Sequence, residues 1–244
     1  FGASIPDEDA YRRLMEAQPA FILMVDTRYP GAVPVANGLY PAYIRKYGAL
    51  PTLNVPYQDA WTWCTRPASR ARIRICGENR ASVSHNVVAE LTGDAPDADC
   101  IYLCAHVDTQ ADTVGADDNA IGCAILLELA RVLAARPHRS TIRLIAFGAE
   151  EVLSLGSAEY VRRHRHELAQ HAAFVCNFDS CGSAVGWNQL ITSLDDALSQ
   201  RVRSCFERAS CYYVELDTPD PCNDLFPFTA LGVAGITVMR RNCE

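Results

Sequence analysis

The chain has 244 residues, of which 49% are hydrophobic, and it carries a formal net charge of −7. This length and apolar content predict one large globular domain, or one domain with part of a second. The acidic balance argues against nucleic acid or an anionic membrane as the main partner. No apolar run is long enough for a transmembrane helix, and the acidic N-terminus does not resemble a signal peptide.

The cysteine content bears on the compartment. The chain has eleven cysteines, and none of them form a C-x-x-C pair of the kind that binds structural zinc. Cys104, Cys123 and Cys176 lie in apolar runs, where a free thiol behaves as a small hydrophobic side chain. We therefore expect a reduced, cytoplasmic location, with a secreted or periplasmic location as the alternative.

Residues 1–80 carry no cluster of metal-binding side chains. A helix is predicted over residues 7–18, and apolar runs predict strands over residues 20–26 and 49–57. Residues 72–76 (RIRIC) alternate with period two, as in a half-buried antiparallel strand. We expect this part to form a small β-rich N-terminal module.

From residue 81 onwards, a polar linker leads into a regular succession of strands and helices. The predicted strands are 87–91, 101–105, 141–148, 172–179 and 232–239, and the predicted helices are 120–136, 157–170 and 194–209. The run 141–148 is almost wholly apolar, which is typical of a parallel strand covered on both faces. The helix 120–136 is apolar on most sides, which predicts a helix buried against the sheet. These patterns predict an α/β fold with a mixed, mainly parallel central sheet flanked by helices.

Candidate metal ligands begin where the strand 101–105 ends. His106 and Asp108 are two residues apart, so in extended backbone their side chains point the same way. A metal-bound imidazole commonly has its second nitrogen held by a carboxylate. We therefore interpret His106 as a ligand and Asp108 as its partner, although alone the pair could be a capped surface turn.

Three further groups of carboxylates lie at helix and strand ends. Residues 115–120 (GADDNA) place two adjacent aspartates at the start of a helix, where one alone could be only a cap. Two adjacent carboxylates repel each other and are costly to bury unless a cation is present. Glu150 and Glu151 repeat the pattern, although by themselves they fit a solvated loop, and Asp179 ends the next central strand. Carboxylates at three such positions predict a metal centre at one edge of the sheet.

These segments resemble the successive motifs of a known superfamily. AHVDT, GADDNAIG, FGAEEVLSLGS and NFDSCGS are similar to those of the co-catalytic zinc aminopeptidases, whose superfamily also contains glutamate carboxypeptidase and glutaminyl cyclase. The resemblance implies a zinc-exopeptidase (phosphorylase/hydrolase-like) catalytic domain over residues 81–244. Residues 1–80 are more loosely similar to the protease-associated insert of some members, or to a remnant of it.

The resemblance also implies the roles of individual residues and a peptide substrate. It implies one or two zinc ions, two in the complete family site, bound by His106, Asp118, Glu151 and Asp179. His106 and Asp179 would bind one ion, Glu151 the other, and Asp118 would bridge both. Glu150 would be the general base, and Asp108 is counted with it among the catalytic residues as the carboxylate that orients His106. The implied activity is metal-dependent hydrolysis of a terminal peptide bond, with an aminopeptidase more expected than a carboxypeptidase.

One motif departs from the family pattern. Family members complete the second zinc site with a histidine near the C-terminus, in one branch directly after an aspartate. Here the corresponding stretch is residues 222–228 (CNDLFPF), and the position holds Leu225. We expect the histidine to lie in a C-terminal tail that this sequence lacks, with Cys222 or Asp224 as substitutes in the alternative. If the site is incomplete, the alternatives are a single-zinc transferase like glutaminyl cyclase or a pseudo-peptidase that binds without catalysis.

Overall fold

The chain divides into two units, Phe1–Ala81 and Ser82–Glu244. The computed structural model describes residues 7–26, 41–66, 70–78, 80–95, 98–111, 113–193, 197–216 and 223–241. The boundary between the units falls beside the boundary expected at residue 80. That the first unit is a protease-associated insert or its remnant stays a prediction.

The described part of the first unit is mixed rather than β-rich. Its helices and strands are α1 (Glu8–Glu16), β1 (Ile22–Asp26), α2 (Pro41–Tyr47), β2 (Thr52–Pro56) and α3 (Tyr57–Thr65), with β1 and β2 paired in parallel. The strand predicted over residues 72–76 is wrong. Residues 70–78 lie in no strand and are mostly exposed, because alternation forms a strand only where a neighbouring strand supplies hydrogen bonds.

The second unit is built on a seven-stranded sheet with the strand order β3-β5-β4-β6-β9-β7-β8. Its strands are β3 (Val87–Leu91), β4 (Cys100–His106), β5 (Ile142–Phe147), β6 (Ala172–Phe178), β7 (Trp187–Ser193), β8 (Tyr213–Leu216) and β9 (Gly235–Arg241). The two antiparallel pairings are β3 with β5 and β7 with β9, and the other four are parallel. The predicted mixed, mainly parallel sheet is confirmed. Strands β7 and β8 were not predicted, because they mix polar with apolar residues.

Helices cover both faces of this sheet. They are α4 (Ile121–Ala134), α5 (Leu155–His171), α6 (Ala197–Arg208) and α7 (Phe226–Ala230). On one face, Tyr102 and Phe147 of the strands pack with Tyr160 of α5 and Phe228 of α7. On the other face, Leu126 of α4 packs against strand residues of a separate core cluster. Burial on both faces explains why β5 reads as a nearly continuous apolar run.

Helix α4 is less buried than its composition predicts. Only Gly122 and Leu126 are fully buried, and Leu127 is 74% exposed. The helix does pack against the sheet as expected, but its remaining apolar side chains are not all covered. A helix that lies flat on a sheet can cover only one of its own faces, whatever side chains the other face carries.

The parallel strands β4, β5 and β6 are neighbours, so their carboxyl ends meet at one edge of the sheet. His106 at the end of β4 pairs in register with Phe147 at the end of β5. Phe178 ends β6, and the backbone N–H of Asp179 donates to the Val238 carbonyl of β9 at 3.1 Å. The topology thus brings the predicted ligand segments together. In the part of the chain that the structure describes, no helix has the length and apolarity to cross a membrane.

Replacing Phe228 tests the face of the core formed with α5 and α7. Phe228 is fully buried, and its ring lies 6.0–6.4 Å from those of Tyr102, Phe147 and Tyr160. Phe228→Ala should lower the free energy of unfolding by about 3–5 kcal/mol, because it removes a fully packed ring. Urea denaturation followed by circular dichroism measures the change. Phe226→Ala, in the same helix but 38% exposed, is the control and should cost less than about 1 kcal/mol; equal losses would contradict this packing.

Candidate metal centre

His106 lies at the centre of the site and is 1% exposed. Its Nδ1 is 3.0 Å from the Asp108 carbonyl oxygen, and because a carbonyl only accepts, Nδ1 carries a hydrogen. Its Nε2 is 3.0 Å from an Asp118 carboxylate oxygen and 3.5 Å from one of Asp179. These contacts lack hydrogen-bond geometry, so the buried Nε2 has no hydrogen-bond partner among the described residues. A buried nitrogen in this state facing carboxylates is the environment that a cation would satisfy.

Asp108 acts on a different group from the one the sequence suggested. Its carboxylate is 3.7 Å from the His106 Nδ1, beyond hydrogen-bond distance, and its backbone carbonyl takes that role instead. The carboxylate accepts the backbone N–H of Glu150 at 3.0 Å and that of Glu151 at 3.2 Å. Asp108 therefore links the end of β4 to the turn that carries both glutamates.

The aspartate-rich turn is Ala116–Ala120, which leads into α4. Gly115 precedes it with φ 59°, and a side chain there would collide with Thr109. Thr109 donates its hydroxyl to the Asp118 carbonyl at 3.0 Å. Asp118 has non-helical dihedral angles (φ −117°, ψ 92°), which turn its half-exposed carboxylate toward His106.

Glu150 and Glu151 follow β5 in a strained turn. Ala149, Leu153 and Ser154 have positive φ angles of 58°, 68° and 51°, a region that non-glycine residues rarely adopt. Such conformations persist where the surroundings enforce them, and they concentrate at functional sites. The Ser154 hydroxyl donates to a Glu150 carboxylate oxygen at 3.2 Å.

Two residues of this site were not singled out from the sequence. Asn119 is 1% exposed and bridges α4 to the end of β6, and Asp117 accepts a backbone N–H from Gly182. The sequence did contain a signal for Asn119, because asparagine just before an apolar helix is a favoured N-terminal cap. Its second bond, to β6, depends on the sheet order and had no local signal.

The region of the departing motif lies partly in the core. Leu225 is 3% exposed and packs in the same core cluster as Phe228, so this position does not supply a ligand. Asp224 is 1% exposed, and neither of its carboxylate oxygens has a hydrogen-bond partner among the described residues. Cys222, the other suggested substitute, lies outside the described residues.

The four predicted ligands and the predicted base Glu150 form two groups that share His106. One contains His106, Asp118 and Asp179, and the other contains His106, Glu150 and Glu151; within each group the ligand atoms lie within 4.8 Å of one another. Asp224 belongs to neither of these groups. Mixed imidazole and carboxylate donors at this spacing fit zinc. Within the described ranges, both groups depend on the same imidazole.

The electrostatics of the site also favour a bound cation. Burial and then the charge of Asp224 raise the pKa of Glu150 to about 8. Burial also raises the pKa of Asp224 to about 7. Burial disfavours the charged form of His106, but the Asp118 and Asp179 carboxylates outweigh it and raise its pKa to about 12. The protein thus holds protons at a place where ionised carboxylates would repel, and a divalent cation would compete with those protons.

Comparison with known families identifies the family of the second unit. The model of peptidase family M28 matches residues 86–243, which include every candidate ligand. The chain belongs to peptidase family M28.

Individual M28 relatives are similar over part of their length. Aminopeptidase YwaD of Bacillus subtilis is 40% identical over 86 residues, which are 35% of this chain and 19% of the relative. An aminopeptidase of Pseudomonas aeruginosa is 29% identical over 136 residues, which are 56% of this chain and 25% of the relative. The chain therefore covers a quarter or less of these two relatives.

Solved structures show the same fold. An aminopeptidase from Aneurinibacillus sp. strain AM-1 superposes with a TM-score of 0.71 at 23% identity, covering 96% of this chain and 57% of that one. BSAP, a zinc aminopeptidase from Bacillus subtilis, superposes with a TM-score of 0.72 at 20% identity, covering 98% and 59%. The M28 chain thus spans less than two thirds of either neighbour.

The raised pKa values predict how the stability of the metal-free protein depends on pH. Because the pKa of Glu150 rises from 4.5 to about 8 on folding, and that of Asp224 from 3.8 to about 7, the native state binds more protons than the unfolded state between these values. The free energy of unfolding should therefore fall as the pH rises from about 5 to about 8. Thermal melting of chelator-treated protein measures it. Glu150→Gln should flatten the dependence, and a stability that rises over this window would contradict the assignment.

Proposed function

We propose that this M28 protein is a metal-dependent exopeptidase, most simply a zinc aminopeptidase, that hydrolyses the terminal bond of a peptide. The observation that carries the proposal is the unpartnered, buried Nε2 of His106 within 3.5 Å of the Asp118 and Asp179 carboxylates. His106, Asp118, Asp179 and Glu151 would bind the metal. Bound zinc would supply a Lewis acid that polarises the substrate carbonyl and makes a water molecule acidic.

Glu150 is the residue best placed to move protons. Its carboxylate is 11% exposed and its oxygen is 4.0 Å from His106 Nε2, beside the ligand cluster. Asp108 fixes its backbone, and Ser154 donates to its carboxylate. A carboxylate in this position could accept a proton from water and return it to the leaving amine.

The charge of the site supports an aminopeptidase. The described residues around His106 are mostly carboxylates, which would attract the positive α-amine of a peptide and repel its carboxylate. The two relatives from Bacillus subtilis and Pseudomonas aeruginosa are likewise named aminopeptidases. We therefore propose that the substrate is read from its amino end.

The number of bound ions bears on the alternatives: two ions would favour the peptidase, and a single ion leaves the transferase open. Both described ligand groups share one imidazole, and Leu225 is buried in the core, which favours a single ion over two for this stretch of chain. A single-zinc transferase like glutaminyl cyclase is therefore the second candidate. A pseudo-peptidase that only binds is the third.

Metal stoichiometry provides the first test. Elemental analysis of protein reconstituted with zinc should give one or two ions per chain, and His106→Ala should bind none, because both groups lose their imidazole. Hydrolysis of a leucine p-nitroanilide and cyclisation of an N-terminal glutamine peptide are then assayed on the loaded protein. Release of nitroaniline supports the peptidase, cyclisation alone supports the transferase, and zinc-free wild-type protein would contradict both.

Replacing Glu150 tests whether it is the general base. Glu150→Gln should retain zinc but lower kcat by about 10²–10⁴-fold, because the amide cannot accept the proton. Glu151→Gln is the matched control, since it should lower zinc content as well as activity. Wild-type turnover by the Glu150→Gln variant would show that another group is the base.

A further inference from the structure

The two ligands Asp118 and Asp179 come from different elements, and the Thr109 hydroxyl that bonds the Asp118 carbonyl does not restrain the Asp118 carboxylate. Its side chain is 49% exposed, and its dihedral angles place it outside any helix. Both carboxylates crowd the same His106 nitrogen and repel each other when ionised. Without restraint, the loop with Asp118 would therefore swing outward.

The residues on both sides of Asp118 are bonded to the segment that carries Asp179. Asn119 donates its side-chain N–H to the Phe178 carbonyl at 2.8 Å, one residue before Asp179. Asp117 accepts the backbone N–H of Gly182 at 2.5 Å, three residues after Asp179. The two bonds thus bracket both ligands.

Asn119 is also anchored to helix α4. Its side-chain oxygen accepts the Gly122 N–H at 3.0 Å, and a side chain at position 122 would collide with both Asn119 and the Phe178 carbonyl. In the next residue, the Cys123 thiol donates to the His106 carbonyl at 3.1 Å. The first turn of α4 therefore contacts the segments of all three ligands of the His106, Asp118 and Asp179 group.

We propose that Asn119, assisted by Asp117, is a positioning residue that fixes the separation of the Asp118 and Asp179 carboxylates and so sets the metal affinity of the site. The inference rests on the proposed metal-dependent function. Asn119 itself contacts neither metal nor substrate in this assignment. Its amide makes two hydrogen bonds to backbone groups: the oxygen caps α4 at the Gly122 N–H, and the nitrogen bonds the Phe178 carbonyl.

Two variants of Asn119 separate positioning from capping. Serine keeps a short oxygen that can cap the Gly122 N–H but is too short to reach the Phe178 carbonyl. Alanine removes both bonds. If Asn119 only caps the helix, Asn119→Ser should bind metal like wild type and Asn119→Ala should not; if it positions Asp118, both should bind about 10–100-fold more weakly.

Asp117 offers a matched pair that does not disturb the core, because its side chain is only partly buried. Asp117→Asn keeps an oxygen that accepts the Gly182 N–H but removes the charge. Asp117→Ala removes the bond. Positioning predicts weaker metal binding for the alanine variant than for the asparagine variant, whereas a purely electrostatic role predicts equal loss in both.

The experiment is a competition titration of the metal-free full chain with zinc against a chromophoric chelator, together with the absorption spectrum of the cobalt form. Glu215→Gln is the control, since Glu215 lies on the edge strand β8, where its carboxylate accepts a hydrogen bond from Arg203 of α6, and it should bind as wild type does. Zinc affinity of Asn119→Ser within twofold of wild type would overturn the inference and leave the proposed function standing. Absence of zinc binding by the wild-type chain would overturn both.

Discussion

The structure of this site depends on one electrostatic constraint, which is the crowding of carboxylates around the buried Nε2 of His106. Ionised carboxylates at this spacing repel one another, and burial removes the water that would screen them. The metal-free protein relieves the repulsion by holding protons, as the raised pKa values of Glu150 and His106 show. A divalent cation would relieve it better, which links metal binding to stability and to pH.

The fold restrains the repelling carboxylates through hydrogen bonds from side chains to nearby backbone groups. Asp108 joins the β4 end to the backbone of both glutamates, and Asn119 joins the start of α4 to the β6 end. Each link uses a side chain to hold a backbone group that neighbours a ligand. The ligands themselves thus stay free to face the ion, while the distances between their segments are restrained.

The C-terminal motif shows how the same fold can alter its site. Leu225 lies in the same core cluster as Phe228 of α7. Its neighbour Asp224 is also buried, and its carboxylate has no hydrogen-bond partner in the described structure. After burial, the charge of Asp224 is the next largest cause that raises the pKa of Glu150. A residue outside both ligand groups thereby influences the proposed base, and its burial beside Leu225 could not be seen from the sequence alone.

Much of this protein could be read from its sequence, and for physical reasons. Apolar runs such as 141–148 predict buried parallel strands because periodicity follows directly from burial, and adjacent carboxylates at strand ends indicate a cation because like charges are costly to bury. Strand pairing and helix burial could not be predicted in this way. Residues 72–76 alternate but lie in no strand, and α4 is apolar yet leaves Leu127 exposed. The true partner of Asp108, the second bond of Asn119 and the burial of Leu225 likewise depend on groups 42 to 59 residues away or on packing between layers. Local pattern determined which residues are candidates for the chemistry, and only the tertiary structure decided which backbone groups hold them, because those contacts arise when distant strands and helices meet.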